Sequence, residues 1–452
     1  MATNFILIDR DTRYILPPCV QDYLPDNHLA RFVVEIVDQL DLSYLTTRYQ
    51  GKGKRPYHPA MLLSLLFYGY ATGTFSSRKL EDSTYDSMAF KFIAANKHPD
   101  HDTINTFRKR FKKEIRGLFV EILILAEAMG LLKLGTVSLD GTKIKANASR
   151  HKALSWEYAN KLEAQFKQEI DDLMKLAKEA DKVSLPEDMD VPEELQRRQD
   201  RLEVIARAKK EIKGRAKVRY ESEKADYDEK RAKRAKKASE TGKKVVGKEP
   251  QPPSEEPQAK DQVNLTDEES RIMLTKSGFE QAYNAQASVD IHTHLIVAHD
   301  VTQHSNDKQE IVPTIDKLKQ LPDSLGKVEN LLADTGYFSE ANVNACNEAK
   351  IKPYITEKRQ MHNQSLAQRH EHEVEKDESG LSPVEAMRHR LKTKNGKALY
   401  AKRKSTVETV FGIIKHIQGF RQFHHRGLDL VKSEWNLVSI GWNLKRMHAL
   451  RG

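Results

Sequence analysis

Apolar residues recur every three or four positions through the first 130 residues of the chain, and turn-forming residues separate the apolar stretches. The stretch 61–73, MLLSLLFYGYATG, is strongly apolar but falls short of the roughly 20 residues that a membrane-spanning helix needs. It therefore predicts a buried helix. A later helix is predicted behind Asp100 or Asp102, either of which can cap it. This pattern predicts an all-helical domain over residues 1–130.

The period changes to that of a β-strand after residue 135. Apolar and polar residues alternate over Thr136–Asp140, and strand patterns resume near residue 283 with a predicted hairpin. A further apolar strand, VENLLAD, ends at Asp334. The predicted order is strand, insert, two strands, helix, strand, helix, strand. We predict a mixed fold, α+β or α/β, in which helices flank a mixed sheet over residues 131–150 and 266–452.

A charged insert interrupts this sheet between residues 151 and 265. Two long helical patterns place apolar residues three or four positions apart, which favours an antiparallel helical hairpin over a globular domain. The last part of the insert, residues 236–262, has little to bury and many helix-breaking residues. We predict a disordered or loose linker there.

The chain is basic, and the excess charge is concentrated near its C-terminus. The 452 residues contain 75 Lys and Arg against 65 Asp and Glu, a net charge of +10. From Lys397 onward, 11 Lys and Arg face three acids, which leaves +8. Such a field favours a polyanionic partner, for which DNA and a membrane surface are the main candidates.

Cysteine content and the N-terminal sequence predict a cytoplasmic protein without a signal peptide. Only Cys19 and Cys346 occur, which is too few for a disulfide framework or a thiolate zinc site. Charged residues appear at Asp9 and Arg10, too early for the apolar region of a signal peptide.

Two aspartates occupy similar positions in the predicted sheet. Asp140 and Asp334 each follow an apolar strand and precede residues that allow a sharp turn. Two such acids on neighbouring strands would repel each other unless a cation neutralised them. Because neither motif contains Cys or His, oxygen ligands favour Mg²⁺ or Mn²⁺. We predict two ions, the arrangement that promotes in-line displacement at a phosphodiester.

A third acid, Glu408, lies on a predicted amphipathic helix. At about 100° per residue, Lys404 and Lys415 fall on the same side of that helix. A carboxylate flanked by cations suits a site that holds both metal and phosphate. Each acid also has a simpler interpretation, because an Asp at a strand end is often turn chemistry and Ser405–Glu408 can form a capping box.

Taken together, these segments resemble the DDE transposases of bacterial insertion sequences. The resemblance is carried by VSLDGTKIK around Asp140, LLADTGYFSE around Asp334 and RKSTVETVFGIIK around Glu408, and by the helical N-terminal region. Many members place the glutamate in the pattern Tyr, two residues, Arg, three residues, Glu, six residues, Lys. Here four residues separate Arg403 from Glu408, so either Lys404 replaces the arginine or the helix begins after Arg403.

The resemblance implies a ribonuclease-H-like catalytic domain, an N-terminal domain that binds DNA and a long helical insert. It implies an enzyme that binds inverted-repeat element ends, cleaves a phosphodiester with Mg²⁺ or Mn²⁺ and joins the 3′-OH to target DNA, as a homodimer in the synaptic complex. The implied metal ligands are Asp140, Asp334 and Glu408. The residues expected to contact phosphate or DNA are Tyr400, Arg403, Lys404, Lys415, Tyr337, Arg108 and Arg110.

Some of these assignments have alternatives. The basic helix with Arg108 and Arg110 also suits a solvated face over an apolar stripe, and Tyr337 is the candidate to stack on an extruded base. For the whole chain, the alternatives are a non-catalytic DNA-binding protein derived from a transposase and a phosphohydrolase of small substrates. The charge near the third acid favours DNA over a small ester. The expected location is the cytoplasm, at the nucleoid.

Overall fold

Two compact units make up the chain. The computed structural model describes residues 19–49, 56–179, 191–241, 249–358, 365 and 370–452. The first unit combines Met1–Ile144 with Asn284–Gly452, and the second is Lys145–Tyr283. The first unit thus includes both the N-terminal helices and strands of the predicted catalytic domain. The functional boundaries near residues 130, 150 and 265 stay predictions.

The N-terminal part of the first unit is helical. Its helices are α1 (Leu29–Asp38), α2 (Ser43–Thr46), α3 (Pro59–Thr72), α4 (Ser77–Asp86), α5 (Met88–Ile93), α6 (His101–Arg110) and α7 (Lys112–Ala128). As predicted, α3 is buried. It ends at Gly73, whose φ of 90° suits glycine. Asp100 caps α6, because its carboxylate accepts a hydrogen bond from Thr103 N. Within the described ranges, no helix is long and apolar enough to cross a membrane.

A mixed sheet forms the core of the first unit. The strands among the described residues are β1 (Leu134–Lys145), β2 (Ala153–Ser155), β3 (Gln262–Asn264), β4 (Arg271–Thr275), β5 (Gly278–Asp290), β6 (Ile296–Thr302), β7 (Gly326–Ala333) and β8 (Lys352–Ile355). β1 lies between β5 and β7. β7 is parallel to β1 and β8 is parallel to β7, whereas β6 is antiparallel to β5. The predicted mixed sheet and hairpin are confirmed.

The second unit contains the predicted helical hairpin. α8 (Trp156–Glu179) and α9 (Val191–Thr241) run antiparallel. Two ion pairs show this: Glu163 pairs with Lys209, and Glu169, further along α8, pairs with the earlier Arg198 of α9. The apolar contact between them includes Phe166, Ile205, Ala208 and Ile212. Of the predicted linker, the first residues belong to α9, residues 242–248 lie outside the described ranges, and β3 at the far end pairs with β2.

Helices of the C-terminal half complete the first unit. They are α10 (Ile311–Lys319), α11 (Glu340–Glu348), α12 (Pro383–Lys392), α13 (Lys394–Gly412) and α14 (Leu428–Arg451). α14 is buried along most of its length. Its Trp435 Nε1 donates to the carbonyl oxygen of Gln286 in β5, and the Asn443 amide pairs with both backbone polar groups of Ile296 in β6. The sheet is therefore anchored on α14.

α14 crosses α3 closely at Gly441. A Cβ at this position would lie 2.7 Å from Ala71 N and 2.8 Å from the carbonyl carbon of Tyr70. Gly441→Ala is therefore expected to lower the free energy of unfolding by about 1–3 kcal/mol, because backbone must shift. Gly412→Ala is the control, because a Cβ there meets no atom within 4 Å. Its higher helix propensity should raise the free energy of unfolding, by about 1 kcal/mol at most. Urea unfolding measures both, and equal effects would contradict the close crossing.

Candidate active site

Asp140 and Asp334 lie at the same level on neighbouring parallel strands. Ser138 of β1 pairs with Leu332 of β7, and parallel strands advance together, so the aspartates two residues further on are level. Asp334 follows the end of β7, as predicted. Its Oδ1 accepts a hydrogen bond from Gly336 N at 2.8 Å, whereas Oδ2 has no hydrogen-bond partner among the described residues. Turn chemistry therefore occupies only one of its two oxygens.

Asp140, in contrast, does not end its strand. β1 continues to Lys145, so the predicted turn at Gly141 is wrong. Gly141 provides space instead, because a Cβ there would lie 2.3 Å from Gln286 Nε2 and 2.5 Å from Asp307 Oδ1. The Asp140 side chain is 19% exposed and accepts a hydrogen bond from Gly141 N at 2.8 Å. The first acid thus lies inside the sheet, beside a closely packed glycine.

Arg403 bridges the first and third acids. Its Nη2 donates to Glu408 Oε1 at 2.8 Å, and its Nη1 lies 3.7 Å from Asp140 Oδ2. α13 begins at Lys394, so both Arg403 and Glu408 lie well inside the helix. The capping box suggested for Glu408 and the helix start suggested after Arg403 are therefore both wrong. The acid and the arginine meet because the helix carries them together onto the sheet.

Of the two cations that could fill the arginine position of the family pattern, Arg403 is the one beside the acids. Its side chain is 11% exposed, whereas the Lys404 side chain is exposed. Burial opposes the charge of Arg403, but Tyr400, Asp140 and Glu408 together raise its pKa above the ordinary value. The guanidinium therefore stays charged next to the carboxylates.

The carboxyl group of Asp140 binds a proton more tightly than an ordinary aspartate does. Burial raises its pKa to about 7, and the neighbouring charge of Asp334 acts in the same direction. Arg403 and the hydrogen bond from Gly141 oppose this shift without cancelling it. The protein therefore neutralises the negative charge of Asp140 incompletely. A divalent cation would relieve the repulsion between Asp140 and Asp334.

The donor set fits a hard cation in part. Asp140 and Asp334 offer carboxylate oxygens, the ligands that Mg²⁺ and Mn²⁺ prefer. However, no group of three His, Cys, Asp or Glu side chains in the described part of the chain is placed to hold a metal ion. Glu408 is paired with Arg403 instead. The two aspartates suit a divalent ion, whereas one oxygen of Glu408 is engaged by Arg403.

Two stretches of the chain match transposase family models. Residues 18–110 match a transposase domain (DUF772), and residues 327–448 match a transposase DDE domain. The chain belongs to the DDE transposases. The second match includes Asp334 and Glu408, whereas Asp140 lies outside both. No curated protein and no solved structure matches the transposase. Its mixed sheet with flanking helices is ribonuclease-H-like, which confirms the predicted fold class.

Two other candidate residues of the transposase contact the strands that carry the aspartates or the turn that follows. Lys415 Nζ donates to the carbonyl oxygen of Lys143 in β1 at 2.8 Å. The Tyr400 hydroxyl lies 3.1 Å from the hydroxyl of Thr356, which is itself 2.9 Å from the hydroxyl of Thr335. These contacts connect Tyr400 to the turn after the second acid.

Two of the predicted DNA contacts are wrong. The ring of Tyr337 is fully buried and its hydroxyl donates to Gln286, so it offers no surface on which a base could stack. Arg108 is also buried, and its Nη1 donates to the Tyr70 hydroxyl at 2.9 Å. It lies one helical turn after the buried Ile104 and therefore on the inner side of α6. Both residues support the fold.

A fourth acid, Asp307, lies close to Gly141 and was not singled out in the sequence. Its Oδ1 accepts hydrogen bonds from Asn284 Nδ2 at 2.6 Å and Gln286 Nε2 at 2.8 Å. Asn284, Gln286 and Ser288 occupy every second position of the buried strand β5, a pattern that indicates a polar inner face. That pattern was available, but no local feature of the loop marks Asp307.

Proposed function

We propose that this transposase binds the inverted-repeat ends of its own element, cleaves a phosphodiester there and joins the freed 3′-OH to target DNA. The observation that supports this proposal is the placement of two predicted acids, Asp140 and Glu408, beside one cation, with Asp334 level with Asp140 at the end of the neighbouring strand. Arg403 pairs with Glu408, lies beside Asp140 and is influenced by the charge of Asp334. Turn chemistry alone gives no reason for acids from three distant segments to meet.

Each group has an assigned task in this proposal. Asp140 and Asp334 would hold Mg²⁺ or Mn²⁺, and Glu408 would complete a site for a second ion. When bound, the cations would activate a water molecule and neutralise charge on the reacting phosphate. Arg403 and Lys415 would hold that phosphate, because a guanidinium and an ammonium both suit anionic oxygens.

Contacts with the DNA backbone are assigned to exposed cations. Lys404 and Arg110 are exposed. The C-terminal basic segment contributes less than its charge suggested, since some of its cations serve the fold, as Lys432 does by pairing with Asp300. The helical region 1–130 would recognise the element ends. Such contacts would weaken with salt because binding releases counterions from DNA.

Transposition also implies a second copy of the chain. Two element ends must be held together before they are joined to a target, so the synaptic complex would contain at least a homodimer. With element ends and target DNA as substrates, the proposed location of the reaction is the cytoplasm, at the nucleoid.

A non-catalytic DNA-binding protein derived from a transposase is the second candidate. The observation that favours it is the ion pair between Arg403 and Glu408, together with the absence, in the described part of the chain, of three acids grouped to hold a metal. On this alternative, the helical region would still bind element ends, and the acids would only stabilise the fold.

A cleavage experiment separates the two candidates. The purified full chain, given duplex DNA that carries the inverted repeat flanking its gene, is expected to nick it with Mg²⁺ or Mn²⁺ and not with EDTA. A mobility shift in EDTA measures end binding separately. Binding without nicking under either metal would overturn the catalytic proposal and support the second candidate.

A further inference from the structure

The loop between β6 and α10 brings an acid to the cation site from outside the three family motifs. Asp307 lies in this loop, and its Oδ1 accepts hydrogen bonds from Asn284 and Gln286. Lys143 Nζ lies 3.8 Å from the same oxygen. One oxygen is therefore fully engaged, and its partners come from both β1 and β5.

The second oxygen of Asp307 lies near the turn that follows Asp334. Oδ2 is 3.7 Å from the position of a Cβ on Gly336, and it has no hydrogen-bond partner in the described part of the chain. On the other side, Oδ1 is 2.5 Å from the position of a Cβ on Gly141. Asp307 thus lies between Gly141, the residue after Asp140, and Gly336, two residues after Asp334.

A buried oxygen without a partner marks the same place. Asn284 is fully buried, and its Oδ1 accepts no hydrogen bond. That oxygen is 2.9 Å from the position of a Cβ on Gly141, beside Asp140. Buried acceptors are rarely left without a donor or an ion, because desolvation is costly. The unpaired oxygen is an observation independent of the acids, and it is consistent with a donor or a cation at this place.

The loop is held in place before any ligand binds. Asn342 Nδ2 donates to the carbonyl oxygens of Lys308 and Tyr337, each at 2.7 Å. The Tyr337 hydroxyl donates to Gln286, which in turn donates to Asp307. A network of buried side chains therefore fixes the carboxylate, as a ligand-binding group requires.

We propose that Asp307 is a fourth acidic member of the cation site of Asp140 and Asp334, held there by Asn284 and Gln286. This inference rests on the proposed metal-dependent function. In the described part of the chain no three of these carboxylates are grouped closely enough to hold an ion, so binding would draw them together. The competing interpretation is that Asp307 only fastens its loop to β5.

Asp307→Asn separates these interpretations. The amide oxygen can keep both hydrogen bonds from Asn284 and Gln286. The variant therefore removes the charge and keeps the contacts that hold the loop against β5. Titration of Mn²⁺ into the full chain without DNA, followed by electron paramagnetic resonance of free Mn²⁺, gives the affinity. We expect binding weakened about 10-fold or more. Asp316→Asn, at an exposed position of α10, is the control and should bind as the wild type does.

The outcomes distinguish the two proposals. If the wild type binds Mn²⁺ and Asp307→Asn binds it equally well, Asp307 only fastens its loop and this inference is overturned alone. If the wild type binds no Mn²⁺, the metal-dependent function is overturned with it. Thermal unfolding in EDTA checks the fold of the variant, and Asp307→Ala provides a second removal of the charge should the Asn variant fail to fold.

Discussion

Asp140→Asn is expected to abolish cleavage of element-end DNA and to stabilise the metal-free transposase above pH 7. Cleavage is lost because a neutral amide is a poor ligand for a hard divalent cation. Stability is gained because Asp140 otherwise carries its charge at a buried position beside Asp334. Activity and stability should therefore change in opposite directions at one residue, as they do where a site is built from repelling groups.

The gain in stability depends on pH in a defined way. Folding raises the pKa of Asp140 from 3.8 to about 7, so the unfolded chain ionises first as the pH rises. The stability contributed by the protonated carboxyl is fully present below about pH 4, is lost between about pH 4 and pH 7, and is absent above that. Because Asn does not ionise, its advantage should grow through this window to an order of 2–4 kcal/mol.

Urea unfolding in EDTA on either side of this window measures the effect, and the nicking assay measures cleavage. Asp323→Asn is the matched control, since Asp323 is exposed in a short turn before β7 and outside the site. It should alter neither property. Continued Mg²⁺-dependent nicking by Asp140→Asn would contradict the assigned role of this acid, and unchanged stability at high pH would contradict its buried charge.

Arg403→Ala is expected to reduce cleavage by about 100-fold or more, because the site loses the guanidinium assigned to the phosphate. It should also lower the free energy of unfolding of the metal-free protein, on the order of 2 kcal/mol, by leaving a buried carboxylate without its cation. Most of that loss should arise at Asp140, which is 19% exposed, whereas Glu408 is 45% exposed and screened by water.

Lys404→Ala is the control that makes this prediction specific. Lys404 is adjacent on the same helix but is exposed, so its loss should leave stability unchanged and should weaken DNA binding only slightly, in a salt-dependent manner. Cleavage rates at saturating DNA separate the two variants. If Lys404→Ala lost as much cleavage as Arg403→Ala, the lysine would occupy the arginine position of the family pattern.

Local periodicity was sufficient to predict the strands and the helix that carry the three acids. Val137 and Leu139 alternate with polar residues at the period of a strand, and both are buried. Val407 and Val410 recur at the period of a helix and are likewise buried opposite the exposed Glu408. These periods follow from backbone geometry within a few residues, so the sequence alone reveals them.

The surroundings of the acids could not be predicted in the same way. A glycine after an acid suggests a turn when only its neighbours are considered, yet Gly141 lies within a strand and makes room for Gln286 and Asp307. Arg108 belongs to a basic run that suits phosphate, yet it is buried against Tyr70. In both cases the deciding contact comes from a residue distant in the chain.

By itself, the sequence determined that Asp140 belongs to a strand, that Asp334 follows one and that Glu408 lies on a helix with one buried face, because periodic spacing is a local property of the backbone. Only the tertiary structure decided that Arg403 and not Lys404 meets these acids, and that Asp307 lies among them. Those outcomes depend on which segments pack together and exclude water. Burial then converts a set of ordinary carboxylates into a site whose charge is incompletely neutralised.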